Sequence, residues 1–283
     1  MKFIYIVGLE HSGTTLTNHL LSAHPKVLGL GEVSQFFSPG HMNNYVAQWG
    51  GYQGATLCSC LEDWNQCEFW RNMIDLCGLN SNIPLVSKYK SLVTYVRATQ
   101  GEDAIIVDSS KVVATLQMLS ENFSEIFMPH DVLRVIFSIK DVRSFSASMV
   151  SRPRGKRSLI SVWRAFNYWL GANKIILRYL VSGRVDFRFS LYESLCFSPS
   201  DFLNEQLSAL GLRQEEGELS ISRSSSHIAM GNKNFLMRNR ARIRYDSRWL
   251  CDDLINLVYL AHFRARAFNS YIHSSMSLAN SRA

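Results

Sequence analysis

Residues 1–25 read MKFIYIVGLEHSGTTLTNHLLSAHP. A short apolar run, Phe3 to Val7, enters the turn Gly8-Leu9-Glu10-His11-Ser12-Gly13-Thr14-Thr15. An apolar-periodic segment follows, from about Gly13 to Ala23, and His24-Pro25 ends it. The pattern predicts a strand, a tight turn and a helix N-terminus. Such a unit makes an anion cradle, because backbone N–H groups and the positive end of the helix dipole converge on a phosphate or sulfate.

The spacing Gly8-x4-Gly13 is that of a Walker A loop, but Thr14 follows Gly13 where that loop carries Lys. A nucleoside triphosphatase uses that Lys on its β- and γ-phosphates, so ATP or GTP chemistry is disfavoured. A P-loop kinase or NTPase stays as the alternative, as does a non-catalytic nucleotide-binding member of the fold.

Outward from this unit, strand and helix alternate. Strands are expected at 2–8, 104–107, 133–139 and 185–189, with a short apolar segment from Val27 to Leu30. Helices are expected at 85–99, from Lys111 to Glu121, after Arg143, at 158–181, at 199–210 and at 249–271. Asp108 reads as a helix N-cap. Residues 38–80 have weak periodicity and read as an irregular insertion or lid. The fold class that follows is α/β, three layers with a central parallel sheet, in a single domain over 1–283. In such sheets ligands bind beyond the carboxyl ends of the strands.

The chain has 283 residues, 47% hydrophobic and 19% charged, with a net charge of +7. No apolar run reaches the ~18 residues of a membrane span. No signal-peptide pattern precedes the cradle, which gives the expectation of a cytoplasmic protein. Between Arg134 and Arg188 there are twelve Lys or Arg but only Asp141 and Asp186 as acids. A second basic cluster runs from Lys233 to Arg248. This asymmetry suggests an anionic ligand for the C-terminal half. No nucleic-acid reading motif accompanies it.

Four of the six cysteines, Cys58, Cys60, Cys67 and Cys77, fall within one short stretch. The spacing C-x-C-x6-C fits paired zinc units poorly, and no His lies near it in sequence. The expectation is reduced structural thiols and no metal, with a metal or disulfides in the Cys58–Cys77 cluster left open.

Several segments, in order, resemble sulfotransferases that use 3′-phosphoadenosine 5′-phosphosulfate (PAPS). The loop His11-Ser12-Gly13-Thr14-Thr15 is similar to their 5′-phosphosulfate loop. Lys140-Asp141-Val142-Arg143, with Ser148 and Arg152 eight and twelve residues after Lys140, resembles their 3′-phosphate motif. Lys140 stands there for the usual Arg and Val142 for the usual Pro. Tyr192-Glu193-Ser194-Leu195 is similar to a Tyr-Glu-Asp-Leu segment. His227 to Lys233 resembles a loop that closes over the nucleotide, and Cys58 to Trp70 an insert of bacterial members.

The resemblance implies a P-loop-NTPase-like sulfotransferase fold with PAPS as co-substrate and no metal. It implies Glu32 as general base and Lys111 as a cation on the transferring group. His11 is either a protonated donor to the leaving oxygen or a neutral loop donor. His11, Ser12, Gly13, Thr14 and Thr15 would hold the 5′-phosphate. Lys140, Ser148 and Arg152 would hold the 3′-phosphate, and Tyr192 and Lys233 would add nucleotide contacts. The acceptor, a small-molecule, glycan, lipid or protein hydroxyl, has no readable code, and neither has the oligomeric state.

Overall fold

The computed structural model describes residues 1–38, 57–78, 82–150, 158–213, 226–231 and 243–280. Five strands, β1 (Lys2–Gly8), β2 (Val27–Gly31), β3 (Ile105–Lys111), β4 (Val132–Ile139) and β5 (Asp186–Leu191), form one sheet. Their order is β2-β3-β1-β4-β5 and all pairs are parallel. β1 therefore lies in the middle, hydrogen-bonded on both sides and covered on both faces, which is why it reads as a continuous apolar run.

Alternation along β1 feeds two cores. Phe3, Tyr5 and Val7 join the larger cluster, with Phe36, Trp70, Tyr89, Phe137 and Trp169. Ile4 and Ile6 join the smaller one, with Leu20 and Leu21 of helix Thr14–Leu21 and Phe202 and Leu207 of helix Pro199–Ala209. The expected layered α/β architecture is the observed one. The chain turns to β2 and β3 on one side of β1 and then crosses to β4 and β5 on the other. The carboxyl end of β1 is thus the switch point of the sheet, and the candidate cradle sits there.

Four expectations are corrected. β3 does not end at Val107 but runs on through Asp108 to Lys111. Asp108 is not an N-cap: it is buried in the strand, where it accepts from the Tyr89 hydroxyl at 2.6 Å and from the Ser110 N–H at 2.8 Å. Burial pushes its carboxyl up to about 6.

The stretch expected to be irregular contains a ten-residue helix, Glu68–Cys77, whose Phe69, Trp70, Met73 and Cys77 are built into the larger core. Its apolar residues do recur at helical spacing, but over only ten residues beside a Gly-, Asn- and Cys-rich stretch. The C-terminal helix is two, Asp253–Ala261 and Phe263–Asn280, broken at His262. The imidazole Nδ1 of His262 accepts from the Ala265 N–H at 3.3 Å, acting as a cap for the second helix.

Close approach requires glycine at the end of β2. Gly31 has φ +79°, and a Cβ there would lie 2.1 Å from the Ala229 carbonyl oxygen. Gly31 and Ala229 form a parallel bridge, so residues 226–231 lie along the end of β2. Gly31→Ala is expected to cost at least about 2 kcal/mol in urea unfolding. A variant as stable as the parent would contradict this account of the bridge.

Candidate active site

The loop after β1 closes on itself. The Ser12 N–H and hydroxyl both donate to the Leu9 carbonyl, at 3.3 and 2.5 Å. The Ser138 hydroxyl, at the end of β4, donates to the Ser12 carbonyl at 2.7 Å. His11 and Gly13 both have positive φ, +67° and +91°. Gly13 also N-caps helix Thr14–Leu21 and offers no side chain to its first N–H groups. Those groups are the donors an anion would meet. Ser12 and Thr14 are buried within the loop, whereas His11, Gly13 and Thr15 are partly exposed. The Ser12 hydroxyl thus closes the turn.

Tyr192, the first residue of helix Tyr192–Phe197, roofs this turn. A Cβ on Gly13 would come within 2.8 Å of the Tyr192 ring. The same ring carries the Lys140 ammonium at 4.5 Å from its centre. Tyr192 therefore links the loop after β1 to the motif after β4.

Glu32 and Lys111 come from the ends of β2 and β3 and meet in an ion pair. Glu32 is 5% exposed and the Lys111 side chain 17%. Lys111 holds φ +71°, uncommon for a residue with a Cβ, and its neighbour Ser110 accepts from the Ser34 N–H at 2.8 Å. The Glu32 N–H donates to the Ala229 carbonyl at 3.2 Å. Gly231, two residues further on, leaves a gap where a Cβ would lie 3.0 Å from the Thr15 hydroxyl and 3.4 Å from a Glu32 carboxylate oxygen. Thr15, Glu32 and Gly231 therefore border one point at the mouth of the loop. Of the non-glycine residues with positive φ among the described residues, His11, Lys111 and Met230 all belong to these segments, and Leu61 is the other. Such outliers cluster where structure is held for function.

On the β4 side, Lys140 is 3% exposed. Its ammonium donates to the Ser148 hydroxyl at 3.0 Å and lies 3.4 Å from an Asp246 carboxylate oxygen. Burial lowers its basicity, and Asp246 opposes that effect. The Ser148 hydroxyl lies 2.9 Å from the same Asp246 oxygen. Arg248 grips Asp246 with two bonds of 2.7 Å, and that pairing with Lys140 and Ser148 holds the carboxyl well below its ordinary range. Asp246 thus occupies a ready-made anion site made of Lys140, Ser148 and Arg248.

Asp141 and Arg143 do not face that site. Asp141 binds the Arg143 guanidinium and the Asn269 amide, while Arg143 is sandwiched by the Trp249 and Tyr259 rings at 4.0 and 4.3 Å. They hold the last helices against the motif. Glu193 accepts from the Asp141 N–H at 3.1 Å, and burial pushes its carboxyl up to about 7.

Asp246 was not anticipated from the sequence, since it lies in a polar stretch without periodicity. Its one signal was the nearby basic cluster that includes Arg248. The expected contacts Arg152 and Lys233 lie outside the described residues.

Among solved structures the chain is similar to the sulfotransferase domain of the Synechococcus PCC 7002 olefin synthase. The identity is 19% with a TM-score of 0.57, over 95% of this chain and 94% of that one. It is also similar to the sulfotransferase domain of the curacin biosynthetic pathway, at 16% identity and a TM-score of 0.54, over 91% and 96%. No protein-family model and no curated protein matches the chain. The fold is therefore that of sulfotransferase domains across nearly the whole chain. Among the described residues, no helix is long and apolar enough to cross a membrane.

Proposed function

We propose that the chain is a sulfotransferase that moves a sulfuryl group from PAPS to a hydroxyl or amine acceptor, giving a sulfate ester or sulfamate and 3′,5′-ADP. The observation that carries this reading is the ion pair of Glu32 and Lys111 beside Thr15, at the mouth of an anion-binding loop. A carboxylate, a cation and a set of helix N–H groups at one point are what in-line transfer from a phosphosulfate requires.

His11, Ser12, Gly13, Thr14 and Thr15 would hold the 5′-phosphate side of the nucleotide. Lys140 and Ser148 would hold the 3′-phosphate, with Arg248 added to the expected set. Tyr192 lies between the two groups. Arg152 and Lys233 stay in the proposal as nucleotide contacts. The co-substrate would supply the sulfuryl group and a phosphate leaving group. Glu32 would take the acceptor's proton after Lys111 turns from the carboxylate toward the leaving oxygen, and His11 would add a donor there. The reading includes a cytoplasmic location, no catalytic metal and no nucleic-acid partner. It leaves the acceptor at the level of a small-molecule, glycan, lipid or protein hydroxyl.

Asp246 bears directly on this. Its carboxylate sits in the grip proposed for a phosphate, so a 3′-phosphate must displace it. Asp246→Asn is expected to tighten 3′,5′-ADP binding several-fold, as removal of a like charge from an anion site should. Calorimetry showing weaker binding would mean that Asp246 positions the site instead. The activity itself is tested with radiolabelled PAPS against a panel of hydroxyl and amine acceptors. Label transfer that 3′,5′-ADP inhibits supports the reading, while turnover of magnesium-ATP in place of PAPS overturns it.

A further inference from the structure

The sequence shows no His near the cysteine cluster, but the fold supplies one. His227, 160 residues beyond Cys67, brings its Nδ1 to 3.2 Å from the Cys67 sulfur and 3.8 Å from the Cys58 sulfur. The Cys58 and Cys67 sulfurs are 3.7 Å apart. Ligand atoms of Cys58, Cys60, Cys67 and His227 all lie within 4.8 Å of one another. A tetrahedral zinc ion, with Zn–S about 2.3 Å and Zn–N about 2.0–2.1 Å, sets its ligand atoms roughly 3.6–3.8 Å apart. A disulfide would need about 2.05 Å between sulfurs.

The backbone around the four groups is shaped to hold them. Cys58 opens, and Cys60 lies within, a tight turn in which the Cys58 N–H donates to the Glu62 carbonyl at 2.8 Å, the Leu61 N–H donates back to the Cys58 carbonyl at 3.0 Å, and Leu61 has φ +72°. Cys67 is the N-cap residue of helix Glu68–Cys77. The His227 ring is stacked on Phe69, 5° from parallel with centres 5.0 Å apart. Its carbonyl accepts from the Trp70 indole at 2.7 Å, and its N–H donates to Gly29 at 2.9 Å. Ring and backbone are both fixed, with Nδ1 aimed at the sulfurs.

We infer that Cys58, Cys60, Cys67 and His227 form a Cys3His site for one zinc ion. The protein supplies all four positions, which marks a structural rather than a catalytic site. The three thiols lose their protons to solvent as the ion binds, and no electron moves. The ion would staple the 57–67 turn to residues 226–231, the segment whose Ala229 and Gly231 back Glu32 and Thr15. It would therefore set the wall of the candidate active site without touching it. This inference stands apart from the proposed reaction.

The test begins with elemental analysis of the full chain purified without added metal, and continues with chelation and titration with Co(II). About one zinc per chain is expected. The cobalt form should show thiolate-to-metal charge transfer and the strong visible bands of tetrahedral coordination. Cys60→Ser and His227→Gln should each weaken cobalt binding at least roughly 100-fold, beyond what loss of an outer-shell partner costs. Cys251→Ser, at an exposed position, should leave it unchanged. Parent protein with no zinc and no tetrahedral cobalt spectrum overturns the inference, whether its thiols are free or paired as a disulfide. A Cys60→Ser or His227→Gln variant that binds like the parent overturns the ligand set.

Discussion

Glu32→Gln is expected to lower kcat for sulfuryl transfer by roughly 10²–10⁴-fold, the usual contribution of a positioned acid or base. Binding of 3′,5′-ADP should stay within about threefold of the parent, because the change removes proton acceptance and not the phosphate grip. Gln keeps the shape of the side chain in a place only 5% exposed, and its amide oxygen can still accept from Lys111. The reason to expect a catalytic rather than a structural loss is location. Glu32 shares a point with Thr15 at the mouth of the loop, and it engages a cation that reaches it from a different strand. A variant that kept more than about a tenth of the parent kcat would remove Glu32 from the role of base. A variant that lost nucleotide binding and activity together would make the ion pair a structural element.

Lys140→Met is the second large effect. A hydrogen bond from a charged group is worth about 1.5–3 kcal/mol, so the Kd for 3′,5′-ADP should rise roughly 10- to 150-fold. The Kd for 5′-AMP, which has no 3′-phosphate, should change little. The distinction matters because Lys140 also faces Asp246 in the free protein. Met fills the volume of the stem, and Arg248 still pairs Asp246, so no carboxylate is left alone. Equal weakening toward both nucleotides would show that Lys140 supports the loop through Tyr192 rather than a 3′-phosphate.

Much of this arrangement was legible in the chain. The buried strands announced themselves as apolar runs, and β1 with its glycine-bounded turn placed the candidate site at once. The pairing of Glu32 with Lys111 follows from the sheet: β2 and β3 are neighbours, so residues at their carboxyl ends converge. What stayed hidden depends on contacts between distant segments. Asp108 looked like a cap because a polar triplet follows an apolar run, yet Tyr89 and Ser110 satisfy it inside the strand. His262 breaks a helix that periodicity made continuous, because an imidazole can cap as well as pack. The Lys140-Asp141-Val142-Arg143 segment divides its charges: Lys140 faces Ser148 and Asp246, whereas two rings and Asp141 hold Arg143. His227 and the cysteines are far apart in sequence, and the pairing of residues 226–231 with the end of β2, with Ser59 and with Trp70 brings them together.

A nucleotide with both a 5′- and a 3′-phosphate is proposed to bind beyond the carboxyl end of β1, without metal. Calorimetry of the purified chain with 3′,5′-ADP, 5′-AMP and magnesium-ATP tests it most directly. Clear binding of 3′,5′-ADP is expected in the presence of a chelator too weak to strip zinc, with 5′-AMP much weaker and magnesium-ATP weaker still. Preference for magnesium-ATP, or equal affinity for the nucleotides with and without a 3′-phosphate, would contradict it.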